Sequence, residues 1–318
     1  MVVGAAWVIS SALFTTYSTS AFLRYDPSVS KQKPFFTTQI SRPALLTICR
    51  LGGSLLMGLL LHPDLHMIAQ RVQSTLTNIP HFTLPAIFLF IANYANSISL
   101  NRIGISLTYT SKCAIPLMTV LLTIVMDGMN ALPNARALLS LVPIAIGIAA
   151  ASWNSPTFEL VGFLAAMLST TAQSALNVTS KKAMVKAGIS GLAAQRAMVA
   201  VGFGLSVFMT VLGSLKEKVA AKTTSQFRRT PSAEQTDFPP PWLTLMAVTA
   251  YHLEYMLSFM FVKLVQPITY GACDSMRRLT IILAGRAMFG GHPFSTVNLL
   301  GIALALIGAL SYSIANSL

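Results

Sequence analysis

Two adjacent arginines, Arg277 and Arg278, lie in the middle of an apolar segment that runs from about Pro267 to Gly290. A segment of this length can cross a bilayer as a helix. A charged side chain at mid-membrane depth costs on the order of 3 kcal/mol on insertion scales, so it faces the protein interior or a water-filled cavity. Two guanidinium groups side by side therefore indicate a cavity for an anion, and they favour a carrier of negatively charged solutes.

A structural ion pair is the competing explanation for these arginines. Asp274 precedes Arg278 by one helical turn and so shares its helix face. One carboxylate cannot neutralise two guanidinium groups, however. We therefore expect Arg277 and Arg278 to bind an anion, with Asp274 beside them in the site.

Three lysines are further candidates for contact with an anion. Lys112 lies near the centre of the apolar run 104–126, too deep for its ammonium group to reach the membrane interface. Either an ion pair with Asp274 or Glu254 or contact with a substrate would explain the position of Lys112. Lys181 and Lys182 end another apolar run. A lysine at such a position can extend its ammonium group to the lipid headgroups, so this explanation and substrate contact both stay open.

Tyrosine hydroxyls inside the apolar runs can hold sugar hydroxyls or phosphate. Tyr109 and Tyr270 are such residues, although aromatic packing with an incidental hydrogen bond is the commoner role. The sequence carries no nucleophile elbow, phosphate-cradling glycine loop, zinc pattern or metal-binding carboxylate pair. We therefore expect no catalytic residue, no cofactor and no metal.

The composition is that of a membrane protein. Of 318 residues, 54% are hydrophobic and 10% are charged, whereas a soluble domain carries roughly 25% charged residues. The net charge of +13 would suggest nucleic acid as a partner in a soluble protein, but here we expect a lipid bilayer and no nucleic acid. Apolar runs lie near residues 3–23, 43–62, 84–101, 104–126, 137–153, 158–180, 190–214, 242–265, 267–290 and 294–316.

The fold class predicted from these runs is an all-α membrane protein with about ten transmembrane helices, since lipid-exposed backbone must satisfy its own hydrogen bonds. The halves of the chain resemble each other at an offset of 161 residues, which carries Leu107-Thr108-Tyr109 onto Ile268-Thr269-Tyr270 and Gly147 onto Gly308. This predicts one transporter domain of two inverted five-helix repeats, about 1–153 and 154–318. Inverted repeats place the substrate near the midplane and give alternating access.

Two segments carry a family resemblance. Residues 108–116, TYTSKCAIP, and residues 174–184, SALNVTSKKAM, resemble the fourth-helix and sixth-helix signatures of the triose-phosphate and nucleotide-sugar translocators of the drug/metabolite transporter superfamily. In phosphate translocators of that family, a basic pair in the ninth helix and a lysine of the sixth hold the phosphate. The resemblance assigns these roles to Arg277, Arg278 and Lys181, with Lys182 as its neighbour, and it makes Thr108 a candidate for substrate contact.

The resemblance implies an organellar antiporter that exchanges phosphorylated sugars or related metabolites for phosphate. The absence of a plastid transit peptide before the first helix suits the Golgi or ER, which we expect, with a plastid-type inner envelope as the alternative. A Golgi or ER antiporter of nucleotide sugars and nucleoside monophosphates is the second interpretation. A membrane-embedded enzyme acting on phosphorylated headgroups is the third, although it would need a base or metal ligands. A homodimer is left open.

Overall fold

Helices make up nearly all of the described chain. The computed structural model describes residues 2–26, 37–38, 40–60, 67–129, 133–153, 155, 157–224, 236–264, 267–290 and 295–315. The α-helices in these ranges are α1 (Val2–Ser10), α2 (Thr16–Leu23), α3 (Arg42–Leu60), α4 (Ile68–Ser111), α5 (Ile115–Asp127), α6 (Ala135–Leu139), α7 (Leu141–Ser152), α8 (Leu160–Ala187), α9 (Gly191–Thr224), α10 (Pro241–Leu264), α11 (Pro267–Phe289) and α12 (Thr296–Ala315). A π-helical turn (Ser11–Thr15) joins α1 to α2, and a 3₁₀ turn (Lys112–Ala114) joins α4 to α5.

One short pair of strands links the two longer loops. β1 (Thr37–Thr38) and β2 (Thr236–Asp237) are antiparallel, with Thr37 opposite Asp237. The residues shortly before α3 and those shortly before α10 therefore lie side by side.

The surface of the bundle is apolar, as a bilayer requires. Within the described ranges, five helical stretches are long and apolar enough to cross a membrane: Arg42–Leu60, Ile68–Met126, Ala135–Ser152, Gly191–Gly213 and Thr296–Ala315. Large aliphatic side chains point outward from several helices, among them Val185, Leu139 and Leu300, which are 77%, 70% and 65% exposed. Apolar exposure on this scale would be costly in water, so the predicted class, an all-α membrane protein, is confirmed.

A sharp break at Gly104 divides the longest helical stretch. Gly104 has φ 75° and ψ −176°, a conformation open in practice only to glycine. The hydroxyls of Ser99 and Thr108 are 2.7 Å apart, whereas nine residues of straight helix would separate them by roughly 13 Å. The chain therefore turns back at Gly104, as the boundary between the runs 84–101 and 104–126 predicts. The first part begins earlier than its run, at Ile68, and contains Pro80 and Pro85.

In the first apolar run, 3–23, most serine and threonine hydroxyls donate to backbone carbonyls of the same run. Ser10 donates to the Trp7 carbonyl at 3.1 Å, and Thr16 donates to the Ser11 carbonyl at 2.9 Å. Thr15, in the π-helical turn, instead donates to the Ala250 carbonyl of α10 at 3.4 Å. Hydroxyl side chains stabilised by local carbonyls are compatible with a membrane helix, and the π turn lies where this helix meets the interior of the bundle.

Helices α7 and α12 pack backbone to backbone. A Cβ atom added to Gly147 would lie 2.4 Å from the backbone nitrogen of Ala305, and one added to Gly301 would lie 2.4 Å from the nitrogen of Ala151. Small residues at these positions let the two backbones approach closely. Asn298 clamps the helix ends, because its Nδ2 donates to the carbonyl of Ala151 at 3.0 Å.

Candidate functional site

A cavity of about 370 Å³ lies inside the bundle, within the size range of small-molecule sites. Residues of α1, α3, α4, α5, α8, α10, α11 and α12 line it, together with the π and 3₁₀ turns. Its lining side chains are mostly polar or charged: Trp7, Thr15, Arg50, Asn93, Asn96, Tyr109, Lys112, Thr119, Gln173, Asn177, Tyr251, Glu254, Tyr255, Ser258, Asp274, Ser275, Arg277, Arg278, Tyr312 and Ser313.

Arg277 connects the two carboxylates of the cavity. Its Nη1 donates to Glu254 Oε1 at 2.6 Å, and its Nε and Nη2 donate to Asp274 Oδ1 at 3.1 and 2.7 Å. The guanidinium also lies 4.9 Å from the ring centroid of Trp7, a cation–π contact. Arg277 is therefore held from three sides before any ligand is bound.

Arg278 is fixed by Asp274 and by a backbone carbonyl. Nη2 donates to Asp274 Oδ2, and Nη1 donates to the carbonyl oxygen of Lys112. The residue is only 5% exposed, and its Nε has no hydrogen-bond partner among the described residues. A buried donor without a partner costs free energy.

The position of Lys112 follows from Pro116. Proline has no N–H to donate to the carbonyl four residues earlier, and the Lys112 carbonyl instead accepts a 3₁₀ bond from the N–H of Ile115. A carbonyl oxygen has two lone pairs, which explains how the same oxygen also accepts from Arg278. The Lys112 ammonium lies 5.3 Å from the ring centroid of Tyr109. Within the described chain it forms no ion pair with Asp274 or Glu254.

Arg50 is a fourth cation of the cavity, and it is not among the residues predicted from the sequence. It comes from the middle of α3 and is 4% exposed. It donates to the hydroxyl of Thr19, and its guanidinium lies 5.4 Å from the ring centroid of Tyr251. Its Nε has no hydrogen-bond partner in the ranges that the structure covers. The available signal was an arginine in the middle of an apolar run, the kind of position that also singled out Arg277 and Arg278.

The charges that line the cavity do not balance. Among the described lining residues, the cations are Arg50, Lys112, Arg277 and Arg278, and the acids are Glu254 and Asp274. The ion pairs recorded for these acids engage only Arg277 and Arg278. Arg50 and Lys112 therefore pair with no carboxylate in the part of the chain that the structure describes. Excess positive charge in a low-dielectric enclosure attracts anions strongly.

The remaining predicted site residues lie outside the cavity or outside the described side chains. The hydroxyl of Thr108 is fully buried and is used locally, since it donates to the Gly104 carbonyl at 2.7 Å. Lys181 and Lys182 are exposed on α8. The side chain of Tyr270 lies outside the described residues.

Amide side chains are a second group of lining residues that were not predicted from the sequence. Asn93 and Asn96 from α4, and Gln173 and Asn177 from α8, line the cavity. Gln173 Nε2 donates to Asn177 Oδ1 at 3.2 Å, and Asn96 Oδ1 has no hydrogen-bond partner in the described part of the chain. The spacing of Gln173 and Asn177 places both on one helix face, and Lys181 continues that face one turn further, beyond the cavity wall.

Comparison with known proteins gives a family match over most of the chain. Residues 32–313 match the model of the Triose-phosphate Transporter family. A phosphoenolpyruvate/phosphate translocator 2 of Arabidopsis thaliana, named as chloroplastic, is 28% identical over 291 residues, which are 87% of this chain and 72% of that protein. A chloroplastic phosphoenolpyruvate/phosphate translocator 1 of Oryza sativa subsp. japonica is 29% identical over 70% of this chain and 53% of its own length.

Other relatives and one solved structure extend these matches. A chloroplastic glucose-6-phosphate/phosphate translocator 1 of Arabidopsis thaliana is 26% identical over 70% of this chain and 55% of its own length. The chain thus spans just over half the length of two of these three relatives. One protein crystal structure matches 99% of this chain and 96% of its own with a TM-score of 0.52 at 15% identity, a likeness of fold alone.

Proposed function

Because the chain belongs to the triose-phosphate transporter family, we propose that it is an organellar membrane antiporter that exchanges phosphorylated metabolites for inorganic phosphate by alternating access. The observation that carries this proposal is the excess of positive charge among the described residues that line the cavity, four cations against two carboxylates. The relatives described above are named as phosphate translocators, which supports the same class of solute.

In this proposal the phosphate group lies between α11 and the 3₁₀ turn. Arg277 and Arg278 offer donors that are already fixed in place by Asp274, and Lys112 adds a charge that pairs with no carboxylate among the described residues. Donors fixed in advance lose little conformational freedom when they bind an anion. Tyr109, which lines the cavity beside Lys112, supplies a hydroxyl for the same ligand.

The proposed transport cycle needs two inverted repeats, 1–153 and 154–318, and the packing of α7 on α12 supports them. At the offset of 161 residues, Ile144 corresponds to Ala305 and Gly147 corresponds to Gly308. Ile144 meets Gly308, and Gly147 meets Ala305. Each contact is thus the counterpart of the other, which is the pattern that a two-fold axis produces. We propose that this axis lies in the membrane plane and relates ten spanning segments, five in each repeat.

A plastid membrane is the proposed location. The sequence alone leads us to expect the Golgi or ER, but the relatives described above carry chloroplastic names. These names favour the plastid-type inner envelope, which was the alternative expectation.

Transport by purified protein in liposomes tests the proposed function. The vesicles are loaded with inorganic phosphate, triose phosphate, phosphoenolpyruvate or a nucleoside monophosphate, and uptake of labelled phosphate is measured. We expect uptake with the first three internal solutes and none with the nucleoside monophosphate. Exchange confined to the nucleoside monophosphate would instead support the nucleotide-sugar interpretation, and chemical turnover of a phosphorylated solute would support an enzyme.

A further inference from the structure

We propose that the protein binds an anionic phospholipid of the bilayer in a second cavity, with one acyl chain inserted between α3 and α9. This cavity has a volume of about 420 Å³ and shares no described lining residue with the charged cavity. We call it the lateral crevice, and the residues that line it are Ile40, Ser41, Ala44, Thr47, Phe90, Tyr94, Ser206, Met209, Thr210 and Gly213. The inference does not depend on the proposed phosphate exchange.

The lateral crevice forms because α3 and α9 diverge toward one end. Near the middle of α3 the two helices are in contact, since a Cβ added to Gly52 would lie 2.7 Å from Cε2 of Phe203. A Cβ added to Gly213, further along α9, would meet no atom of the described chain within 4 Å. The stacked rings of Phe90 and Tyr94 on α4, with centroids 5.8 Å apart, line the space between the diverging helices.

The walls of the lateral crevice suit an apolar ligand. Three of its hydroxyls donate to backbone carbonyls of their own helices: Thr47 to Pro43 at 2.8 Å, Ser206 to Phe203 at 2.7 Å, and Thr210 to Ser206 at 2.8 Å. Hydroxyls engaged in this way offer little to a hydrated solute. Aliphatic and aromatic side chains supply much of the remaining wall, and a largely apolar space favours an apolar ligand over water.

The lateral crevice opens toward lipid and reaches the membrane surface. Met209 lines it and is 54% exposed, and the adjacent Phe208 is 57% exposed. The apolar span of α3 begins at Arg42 and that of α9 ends at Gly213, so the rim of the crevice lies at the membrane interface. From Gly213 back to Ser206, seven residues of helix extend about 10 Å inward. This shape accommodates an acyl chain whose headgroup stays at the rim.

The sequence next to the rim is basic, which selects the headgroup. Residues 24–42 lead into α3 and residues 214–240 follow Gly213, and together they contain nine Lys and Arg but four Asp and Glu. The pairing of β1 with β2 brings parts of these two segments side by side. Basic residues near a membrane surface attract anionic headgroups, so the occupant is an anionic phospholipid and not a zwitterionic one.

Photo-crosslinking tests the inference. The protein is reconstituted in phosphatidylcholine vesicles with a small fraction of a probe, either phosphatidylglycerol or phosphatidylcholine, that has a diazirine on one acyl chain. After illumination, labelling of the α3 and α9 peptides of the crevice is measured by mass spectrometry, relative to labelling of α12. A contribution of one basic residue makes this ratio at least about fivefold higher with phosphatidylglycerol. Equal ratios for the two probes would overturn the inference.

Variants that fill the lateral crevice then locate the lipid. Gly213→Phe places a ring in the open space and should remove most of the excess labelling by phosphatidylglycerol. Gly204→Phe is the matched control, because Gly204 is also exposed on α9, no described atom lies within 4 Å of its added Cβ, and it does not line the crevice. This control should keep the excess labelling.

Unchanged labelling of Gly213→Phe would overturn the inference. Thermal unfolding in detergent shows whether each variant is folded. If Gly213→Phe is not folded, the smaller substitution Gly213→Leu carries the same expectation, and unchanged labelling of that variant would likewise place the lipid elsewhere and overturn the inference.

Discussion

Arg278 donates a hydrogen bond to the backbone carbonyl of Lys112, a residue 166 positions away in the chain. This bond joins α11 to the 3₁₀ turn that Pro116 imposes, and it brings together two of the cations that the sequence singles out. Both residues also line the cavity. The contact therefore fixes the geometry of the proposed phosphate site without a ligand.

Replacement of Arg278 tests that site. Arg278→Ala removes the charge, the contact with the Lys112 carbonyl and one of the partners of Asp274. Hydrogen bonds to charged groups are each worth about 1.5–3 kcal/mol, so phosphate exchange should fall at least about tenfold. Arg286→Ala, on the exposed face of the same helix, should retain exchange. Near-normal uptake by Arg278→Ala would show that Arg278 does not bind the phosphate.

Lys181 is predicted to act at the mouth of the cavity. It is exposed, and it lies one helical turn beyond the lining residue Asn177 on the same face of α8. Lys181→Ala should raise the half-saturation concentration for phosphate about two- to fivefold at low salt, and the effect should shrink as salt screens the charge. Lys186→Ala, exposed further along the same helix, is the control. A loss of protein stability with an unaltered half-saturation concentration would instead indicate that Lys181 contacts lipid headgroups.

The contact of α7 with α12 is predicted to tolerate no added side chain. A Cβ at Gly147 would lie 2.4 Å from the Ala305 nitrogen, a backbone atom that cannot rotate away. Overpacking of this kind costs about 1–3 kcal/mol, so Gly147→Ala should lower the thermal unfolding temperature in detergent. Gly204→Ala is the matched control, because nothing lies within 4 Å of its added Cβ. Equal unfolding temperatures for the two variants would contradict this packing.

The sequence was sufficient for the membrane class, the helical architecture and two of the cavity's arginines, because each follows from the cost of placing polar groups in lipid. The same argument applied to Arg50, which sits in the middle of the apolar run 43–62. A single arginine can be satisfied by neutral groups, however. Its actual contacts, Thr19 and Tyr251, are far from it in sequence, so its shortage of partners becomes visible only in three dimensions.

Thr108 is the opposite case: the sequence predicts a substrate contact, and the structure gives the residue a local role. It belongs to the segment that resembles the fourth-helix signature, but its hydroxyl stabilises the turn at Gly104 through that residue's carbonyl and Ser99. A motif residue can therefore hold the backbone that positions its neighbours, here Tyr109 and Lys112, without itself lining the cavity. Sequence alone does not separate these two roles, because the break at Gly104 depends on one backbone angle.

We expect the empty carrier to return across the membrane only slowly. In the empty cavity Arg50 and Lys112 have no carboxylate partner among the described residues. Closing the cavity would remove their hydration without supplying a counter-charge, whereas a bound phosphate dianion supplies one. Each 1.4 kcal/mol of added barrier slows the return of the empty carrier about tenfold, so we expect obligate one-for-one exchange.

The direct measurement is the initial rate of labelled phosphate uptake into proteoliposomes that are either empty or loaded with unlabelled phosphate, with no proton or sodium gradient. Uptake into loaded vesicles should be at least about tenfold faster, which corresponds to a barrier difference of roughly 1.4 kcal/mol. Equal initial rates in the two preparations would show that the empty carrier returns freely, and they would contradict the role assigned to the unbalanced charges of the cavity.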